Sequence, residues 1–230
     1  MAAIPAEIPC SVPAVSFVIW RLSPAPGNRI RSLMMLIRLI EPQEMSTTRD
    51  VAVLVGSLRK ESYTLKVANV LAELAPPTLK LGRVEIGRLP LYNPDLETDS
   101  PPPEWVAFRD RVRASDALLF ATAEYNRSVP AVLKNAIDVG SRPYGHSVWD
   151  GKPGAVVSVS PGAIGGFGAN HHLRQSLVFL NVPTLQQEAY VGGAAKLFDK
   201  DGKLTNEDTK KFLTDFMQKF ANWIEIQLRG

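Results

Sequence analysis

The loop that follows the first apolar run carries the residues best suited to chemistry. Five consecutive apolar residues, Val51–Val55, end at Gly56, and hydroxyl and guanidinium groups follow at Ser57, Arg59 and Ser62. Apolar residues then recur at helical spacing. A strand, a short polar loop and a helix start together predict a cradle for phosphate, because the first N–H groups of a helix lack partners within it and the helix dipole favours negative charge. The alternative is an ordinary strand-to-helix turn with a serine cap.

Two further loops carry polar or glycine-rich sequence after apolar runs. The run Asp116–Thr122 leads into Ala123–Pro130, which reads AEYNRSVP, and the run Gly154–Ser160 leads into Pro161–Gly168. In open α/β sheets, ligands bind beyond the carboxyl ends of the strands. We therefore expect these two loops and the Gly56–Ser62 loop to converge on one site.

Strands and helices alternate from residue 50 onwards, which predicts an α/β fold with a doubly wound, mostly parallel sheet. The predicted strands are Val51–Val55, Leu79–Ile86, Asp116–Thr122, Gly154–Ser160 and a short strand near Leu185–Val191. The predicted helices are Tyr63–Leu74, Glu104–Ala114, Ala131–Val139, Asn170–Leu180 and Glu207–Leu228. We expect Thr205 to cap the last helix. Its apolar stripe predicts a core-facing side rather than a cofactor contact and consists of Phe212, Phe216, Phe220 and Trp223.

Composition narrows the class of protein. A chain of 230 residues with 45% hydrophobic content suits one α/β domain with an appendage, or at most two small domains. The net charge of +3, with basic and acidic residues interspersed, argues against a nucleic-acid binder. The single cysteine, Cys10, rules out an internal disulfide, and with three histidines it argues against a metal site. It also fits a reducing compartment, so we expect a cytoplasmic protein.

Residues 1–48 differ from the rest of the chain. They hold six prolines and two apolar patches that are too short to span a bilayer, so no membrane partner is expected. We expect this segment to be a disordered extension or an artefact of start-site choice, with Met45 as the true start. Its arginines leave a targeting peptide as the alternative. Residues 49–230 then form the functional domain.

Two motifs together resemble one known family. The first is Gly56–Ser62 (GSLRKES), and the second is Glu124–Pro130 (EYNRSVP), which continues into Ala131–Asp138 (AVLKNAID). Over residues 50–225 the chain is similar to the NAD(P)H-dependent FMN reductase family of flavodoxin-like quinone and chromate reductases. The resemblance implies a flavodoxin-like, five-stranded parallel sheet in the order 2-1-3-4-5, with helices on both faces.

The resemblance also implies FMN as cofactor and NADPH or NADH as electron donor. The implied cofactor-binding residues of the first loop are Gly56, Ser57, Leu58, Arg59, Lys60, Glu61, Ser62, Tyr63 and Thr64, with Ser57, Arg59 and Ser62 on the phosphate. Those along the ring are Ala123, Glu124, Tyr125, Asn126 and Ser160. The family usually has proline where this chain has Ala123, which makes the loop backbone less rigid. No catalytic side chain is implied, because the cofactor carries the electron chemistry.

Three residue roles stay open at this point. Arg127 would attract an anion, either chromate or a nicotinamide-cofactor phosphate, or else it is a solvated or subunit-contact arginine. Glu124 as a general acid is weighed against a structural role, which we favour. The run Lys134–Asp138 matches the family, and we expect it to serve packing and helix-start hydrogen bonds.

The implied function is transfer of two electrons, by a ping-pong mechanism, from NAD(P)H to quinones, chromate or similar acceptors. The resemblance further implies a homodimer or homotetramer. A flavodoxin-type electron carrier is the alternative, but true flavodoxins are strongly acidic and this chain has a net charge of +3. A phosphate-binding or signalling domain is a third possibility. A receiver domain would need acidic residues where Gly56–Arg59 stands.

Overall fold

Five parallel strands in the order β2-β1-β3-β4-β5 form the centre of the computed structural model, which describes residues 47–229. The predicted sheet and its strand order are therefore confirmed. The expectations for the N-terminal segment, including a start at Met45, fall on residues 1–46 and lie outside the described residues. No helix within residues 47–229 is both long and apolar enough to cross a membrane.

The observed elements agree with the predicted ones to within a few residues at each end. The strands are β1 (Arg49–Val55), β2 (Leu79–Val84), β3 (Ala117–Ala123), β4 (Gly154–Val159) and β5 (Ala189–Val191). The helices are α1 (Tyr63–Leu74), α2 (Pro103–Arg113), α3 (Ala131–Gly140), α4 (Phe167–Phe179) and α5 (Glu207–Leu228). Short 3₁₀ turns lie at Pro94–Leu96 and Ala194–Lys196.

The sheet separates two apolar cores. Alternate residues of β1 point to opposite faces, so Val51 and Val53 join the core under α1 and α5, while Ala52 and Leu54 join the core under α2, α3 and α4. Every residue of β3 and β4 is buried. This burial on both faces explains why these strands are almost continuously apolar.

The last helix begins at Glu207, as predicted, but its cap is not the predicted residue. The side-chain oxygen of Asn206 accepts a hydrogen bond from Thr209 N at 2.8 Å, so Asn206 caps α5. The prediction of Thr205 was wrong, because its hydroxyl donates instead to Leu197 O at 3.2 Å and holds the preceding turn. The core-facing stripe is confirmed, since Phe216 and Phe220 are fully buried.

The irregular segment between β2 and α2 is fastened to two helices. Asn135 of α3 accepts from Tyr92 N at 2.8 Å and donates to Pro90 O at 3.1 Å. Buried Arg109 of α2 binds both carboxylate oxygens of Glu97, at 2.9 and 2.8 Å. Asn135 thus anchors a connecting segment rather than the start of its own helix. These contacts fix the segment that follows the carboxyl end of β2.

Candidate functional site

The first loop, residues 56–62, ends in a helix start that is open to an anion. Ser62 is buried and caps α1 by accepting from Leu65 N at 3.1 Å. Among residues 47–229, the N–H groups of Tyr63 and Thr64 donate to no protein acceptor, and the first turn of α1 carries no acidic side chain. The serine cap therefore does not exclude a phosphate at this helix start, because the cap uses only one of the free donors.

The charges of the first loop suit a phosphate group. Arg59 and Lys60 are exposed, and within the described chain neither forms an ion pair. Glu61 is paired with Lys66 at 3.2 Å, so its charge is partly offset. A guanidinium beside free helix N–H groups fits the phosphomonoester dianion of FMN.

Gly56 joins the first loop to the next strand. Its N–H donates to Ala121 O at 2.8 Å, which extends the β1–β3 pairing by one residue. A Cβ atom at Gly56 would lie 3.1 Å from the side chain of Leu133 on α3. Close packing against Leu133 therefore explains why residue 56 is a glycine.

The second loop, residues 124–130, makes a tight two-residue turn. Tyr125 N donates to Ser128 O at 3.1 Å, and Ser128 N donates to Tyr125 O at 3.0 Å. Between them, Asn126 and Arg127 have φ angles of 51° and 64°. Asparagine is common in this left-handed conformation, whereas arginine is strained there. The turn uses the Tyr125 N–H internally and leaves those of Asn126 and Arg127 without acceptors among the described residues.

Glu124 caps a helix other than its own. Its Oε2 accepts from Ala169 N, in the first turn of α4, at 3.0 Å, and its side chain is 11% exposed. The residue that precedes α4, Gly166, has no side chain to serve as a cap, and the first turn contains no acid. The carboxylate thus satisfies α4 and complements its dipole. This geometry favours the structural role of Glu124 over the general acid.

The third loop, residues 160–168, packs tightly on the second. A Cβ atom at Gly168 would lie 2.7 Å from Arg127 O, so only glycine allows this approach. The hydroxyl of Ser128 lies 3.0 Å from His172 Nδ1, which adds a second contact between the second loop and α4. The sequence marked the third loop as glycine-rich but gave no sign of these contacts.

Ser160 connects the third loop to β5, where Tyr190 forms a hydrogen bond with Glu188. Ser160 N donates to Val191 O at 3.0 Å, and its Oγ accepts from Gly162 N at 3.1 Å. The Tyr190 hydroxyl donates to Glu188 at 2.6 Å. Burial is the larger cause and this hydrogen bond is the second, and together they raise the pKa of Tyr190 to about 12. Tyr190 therefore keeps its proton at neutral pH and acts as a hydrogen-bond donor.

The structure brings the predicted site residues to one edge of the sheet. The first, second and third loops leave β1, β3 and β4, which are adjacent strands. Ala123 ends β3, opposite Val159 of β4, so the residues predicted along the ring begin inside the sheet. Arg83 of β2 was not among the predicted site residues, but it lines a cavity of about 160 Å³ together with Ser57 and Arg59. The strand order, which places β2 beside β1, is the signal that could have pointed to it.

Comparisons with known proteins agree on one family. A family model described as NADPH-dependent FMN reductase matches residues 49–196. A quinone reductase of Pseudomonas putida is 65% identical over 183 residues, covering 79% of this chain and 98% of the relative. A 2-hydroxy-1,4-benzoquinone reductase of a Burkholderia species is 45% identical over 175 residues, covering 76% and 95%. Among solved structures, FerB, a flavoenzyme NAD(P)H:(acceptor) oxidoreductase from Paracoccus denitrificans, matches with a TM-score of 0.73 and 44% identity, covering 78% and 98%.

Removing the carboxylate of Glu124 should weaken the fold at α4. We expect Glu124→Ala to lower the free energy of unfolding by about 1 kcal/mol, the usual loss for a missing helix cap. Glu124→Gln should keep most of the stability, because its amide oxygen can still accept from Ala169 N. Urea denaturation measures both. Glu73→Ala, at an exposed glutamate of α1, is the control, and a Glu124→Ala variant as stable as the parent would contradict the capping role.

Proposed function

The chain belongs to the NADPH-dependent FMN reductase family, and we propose that it is an FMN-dependent enzyme that passes two electrons from NAD(P)H to quinones. The observation that carries this proposal is the open start of α1, with Arg59 beside it, at the same sheet edge as the two interlocked loops. Chromate and similar oxyanions are further proposed acceptors.

The FMN phosphate is proposed to lie at the first loop. Its donors are Arg59, the hydroxyls of Ser57 and Ser62, and the N–H groups of Tyr63 and Thr64. The ring is proposed to lie along Ala123–Asn126 and Ser160. When bound, FMN supplies a ring that accepts two electrons and a proton and passes them on.

The protein's own contribution at the ring is a fixed backbone. Glu124 and Ser128 tie the second loop to α4, so the N–H groups of Asn126 and Arg127 are held in place as donors for a polar ring edge. Preorganised donors stabilise developing charge without rearranging during the reaction. No acid or base among the side chains is required for this work.

The alternative of an electron carrier is supported less well. The net charge of +3 is unlike that of strongly acidic flavodoxins, and the relatives are reductases. We also propose that residues 49–230 form the FMN-binding domain. The single cysteine supports a cytoplasmic location.

A direct experiment tests the enzyme proposal. The purified chain should show flavin absorbance and should oxidise NADPH or NADH steadily when a quinone is present. A yellow protein that passes electrons only to a protein partner would instead support the carrier. A colourless protein that takes up no added FMN would contradict both.

Arg59→Ala should weaken FMN binding about tenfold or more, because a charge-assisted hydrogen bond contributes about 1.5–3 kcal/mol. Arg59→Lys should lose less, since it keeps the charge but not the paired geometry. Fluorescence titration of the apoprotein with FMN measures the affinity. Lys219→Ala, at an exposed cation on α5, is the control. Unchanged FMN affinity in Arg59→Ala combined with Ser62→Ala would refute the phosphate assignment.

Arg127→Gly separates strain from anion attraction. Glycine adopts the φ angle of 64° without strain, and the ion pair that is lost, between the exposed Arg127 guanidinium and Glu124 at 3.6 Å, contributes little. We therefore expect the free energy of unfolding to rise by roughly 1 kcal/mol. The same substitution should raise KM for chromate several-fold and leave KM for a neutral quinone nearly unchanged. Arg127→Lys should retain the chromate KM. Equal increases in both KM values would count against attraction of an anion by Arg127.

We propose a homodimer, or a homotetramer built from it, through the outer surface of α3 and α4. Phe179 and Val178 are 87% and 71% exposed, and Tyr144 nearby is 82% exposed. A cavity of about 440 Å³ beside Phe179 is lined by Arg142 and by Lys134 and Asp138, which pair with each other at 2.7 Å. Exposed apolar patches with a polar rim mark contact surfaces, and a two-fold contact uses the same patch on both copies.

Phe179→Asp should convert this oligomer to monomers, because it would bury a charge in the contact. Sedimentation velocity at micromolar concentration measures the change. Ile226→Asp, at another exposed apolar residue on α5, should leave the assembly intact. A monomeric parent protein, or a Phe179→Asp variant that still assembles, would show that this surface is not the contact.

A further inference from the structure

A small cavity between the first loop and β2 carries two guanidinium groups. It has a volume of about 160 Å³ and is lined by Ser57 and Arg59 from the loop, Leu65 from α1, Arg83 from β2 and Glu85 from the turn after β2. Arg83 shares a strand face with Leu79 and Leu81, which pack towards α1. Its position therefore extends the cradle beyond the helix start.

Neither arginine is neutralised by the protein. Within residues 47–229, no carboxylate pairs with Arg59 or Arg83, and the guanidinium of Arg83 donates no hydrogen bond. The one acid in the cavity wall, Glu85, accepts from Gly87 N at 2.7 Å and is held at the turn after β2. Two like charges around a small cavity favour an anion between them.

One wall of the cavity is the contact between the first loop and the turn after β2. The exposed side chain of Leu58 lies against Gly87, where a Cβ atom would come within 2.8 Å of it. The second wall is the start of α1, which Ser62 caps. The two arginines therefore line an open cleft between the first loop and β2.

The position of Arg83 suits a second phosphate better than the FMN phosphate. The loops proposed for the ring leave β3 and β4, on the far side of β1 from β2. With strands about 4.8 Å apart, β2 lies roughly 10 Å from β3. A nicotinamide that meets the ring over β3 and β4 leaves the far end of its extended dinucleotide free to reach β2. In NADPH that end carries a 2′-phosphate, which NADH lacks.

We propose that Arg83 binds the 2′-phosphate of NADPH in this cavity and gives the enzyme a preference for NADPH over NADH, while Arg59, which is engaged by the FMN phosphate, adds only its nearby positive charge. The proposal rests on the proposed function, because it assumes that a nicotinamide cofactor reduces the enzyme. Glu85 opposes the same phosphate and limits the preference. The FMN phosphate is the competing source of this chemistry, so the test uses protein already loaded with FMN.

The binding test compares adenosine 2′,5′-bisphosphate with 5′-AMP on the FMN-loaded protein by calorimetry. The bisphosphate should bind more tightly, and Arg83→Ala should reduce its affinity about tenfold while leaving 5′-AMP unchanged. Glu85→Gln should strengthen bisphosphate binding, because its amide oxygen can still accept from Gly87 N. Lys80→Ala, at an exposed cation on the opposite face of β2, is the control.

The kinetic test measures kcat/KM for both donors with a quinone acceptor. Arg83→Ala should lower the value for NADPH about tenfold and leave the value for NADH unchanged. Equal losses for both donors would overturn the proposal. So would a bisphosphate that binds only FMN-free protein and competes with FMN, because the cavity would then belong to the FMN cradle. Failure of the parent enzyme to oxidise either donor would reject the proposed function, while calorimetry would still report on the cavity.

Discussion

The unsatisfied N–H groups at the start of α1 are the constraint on which the rest of this structure depends. A helix that begins directly behind a buried strand must leave several donors at the sheet edge. Ser62 satisfies one of them, and those of Tyr63 and Thr64 stay without an acceptor in the described part of the chain. Because β1 is buried on both faces and lies inside the sheet, it can neither slide nor tilt to close this gap. The proposed FMN phosphate would supply the missing acceptor at this edge.

The polar side chains around the site hold loops rather than perform chemistry. Glu124 satisfies the first turn of α4, and Ser128 contacts His172. Glycines let the loops approach where any Cβ would collide, as at Gly168 against Arg127 O. This division is expected of an enzyme whose electron chemistry resides in a cofactor. The protein then has to supply position, charge and a stable backbone.

Much of this could be predicted from the sequence, and the failures have physical causes. Apolar runs and helical spacing found all ten major elements of the described chain, because buried parallel strands have a strong local signature. Motif resemblance supplied the strand order and the family, both confirmed. Glu124 caps a helix through Ala169, which lies 45 residues away in the chain, and Asn135 anchors Tyr92, which lies 43 residues away. Local sequence patterns do not encode such distant partners. The prediction of the α5 cap failed because threonine and asparagine are both good capping residues, so sequence alone does not choose between Thr205 and Asn206.

The two outer strands of the sheet share a feature that concerns aggregation. β5 spans only three residues, and β2 carries Lys80 on one face and Arg83 on the other. Short edges and charged edge residues discourage another chain from adding a strand. Both edges of the sheet therefore discourage its growth by strand addition. Arg83 would then have two roles, one in the choice between NADPH and NADH and one in protecting the edge of the sheet from strand addition. Its loss would affect both.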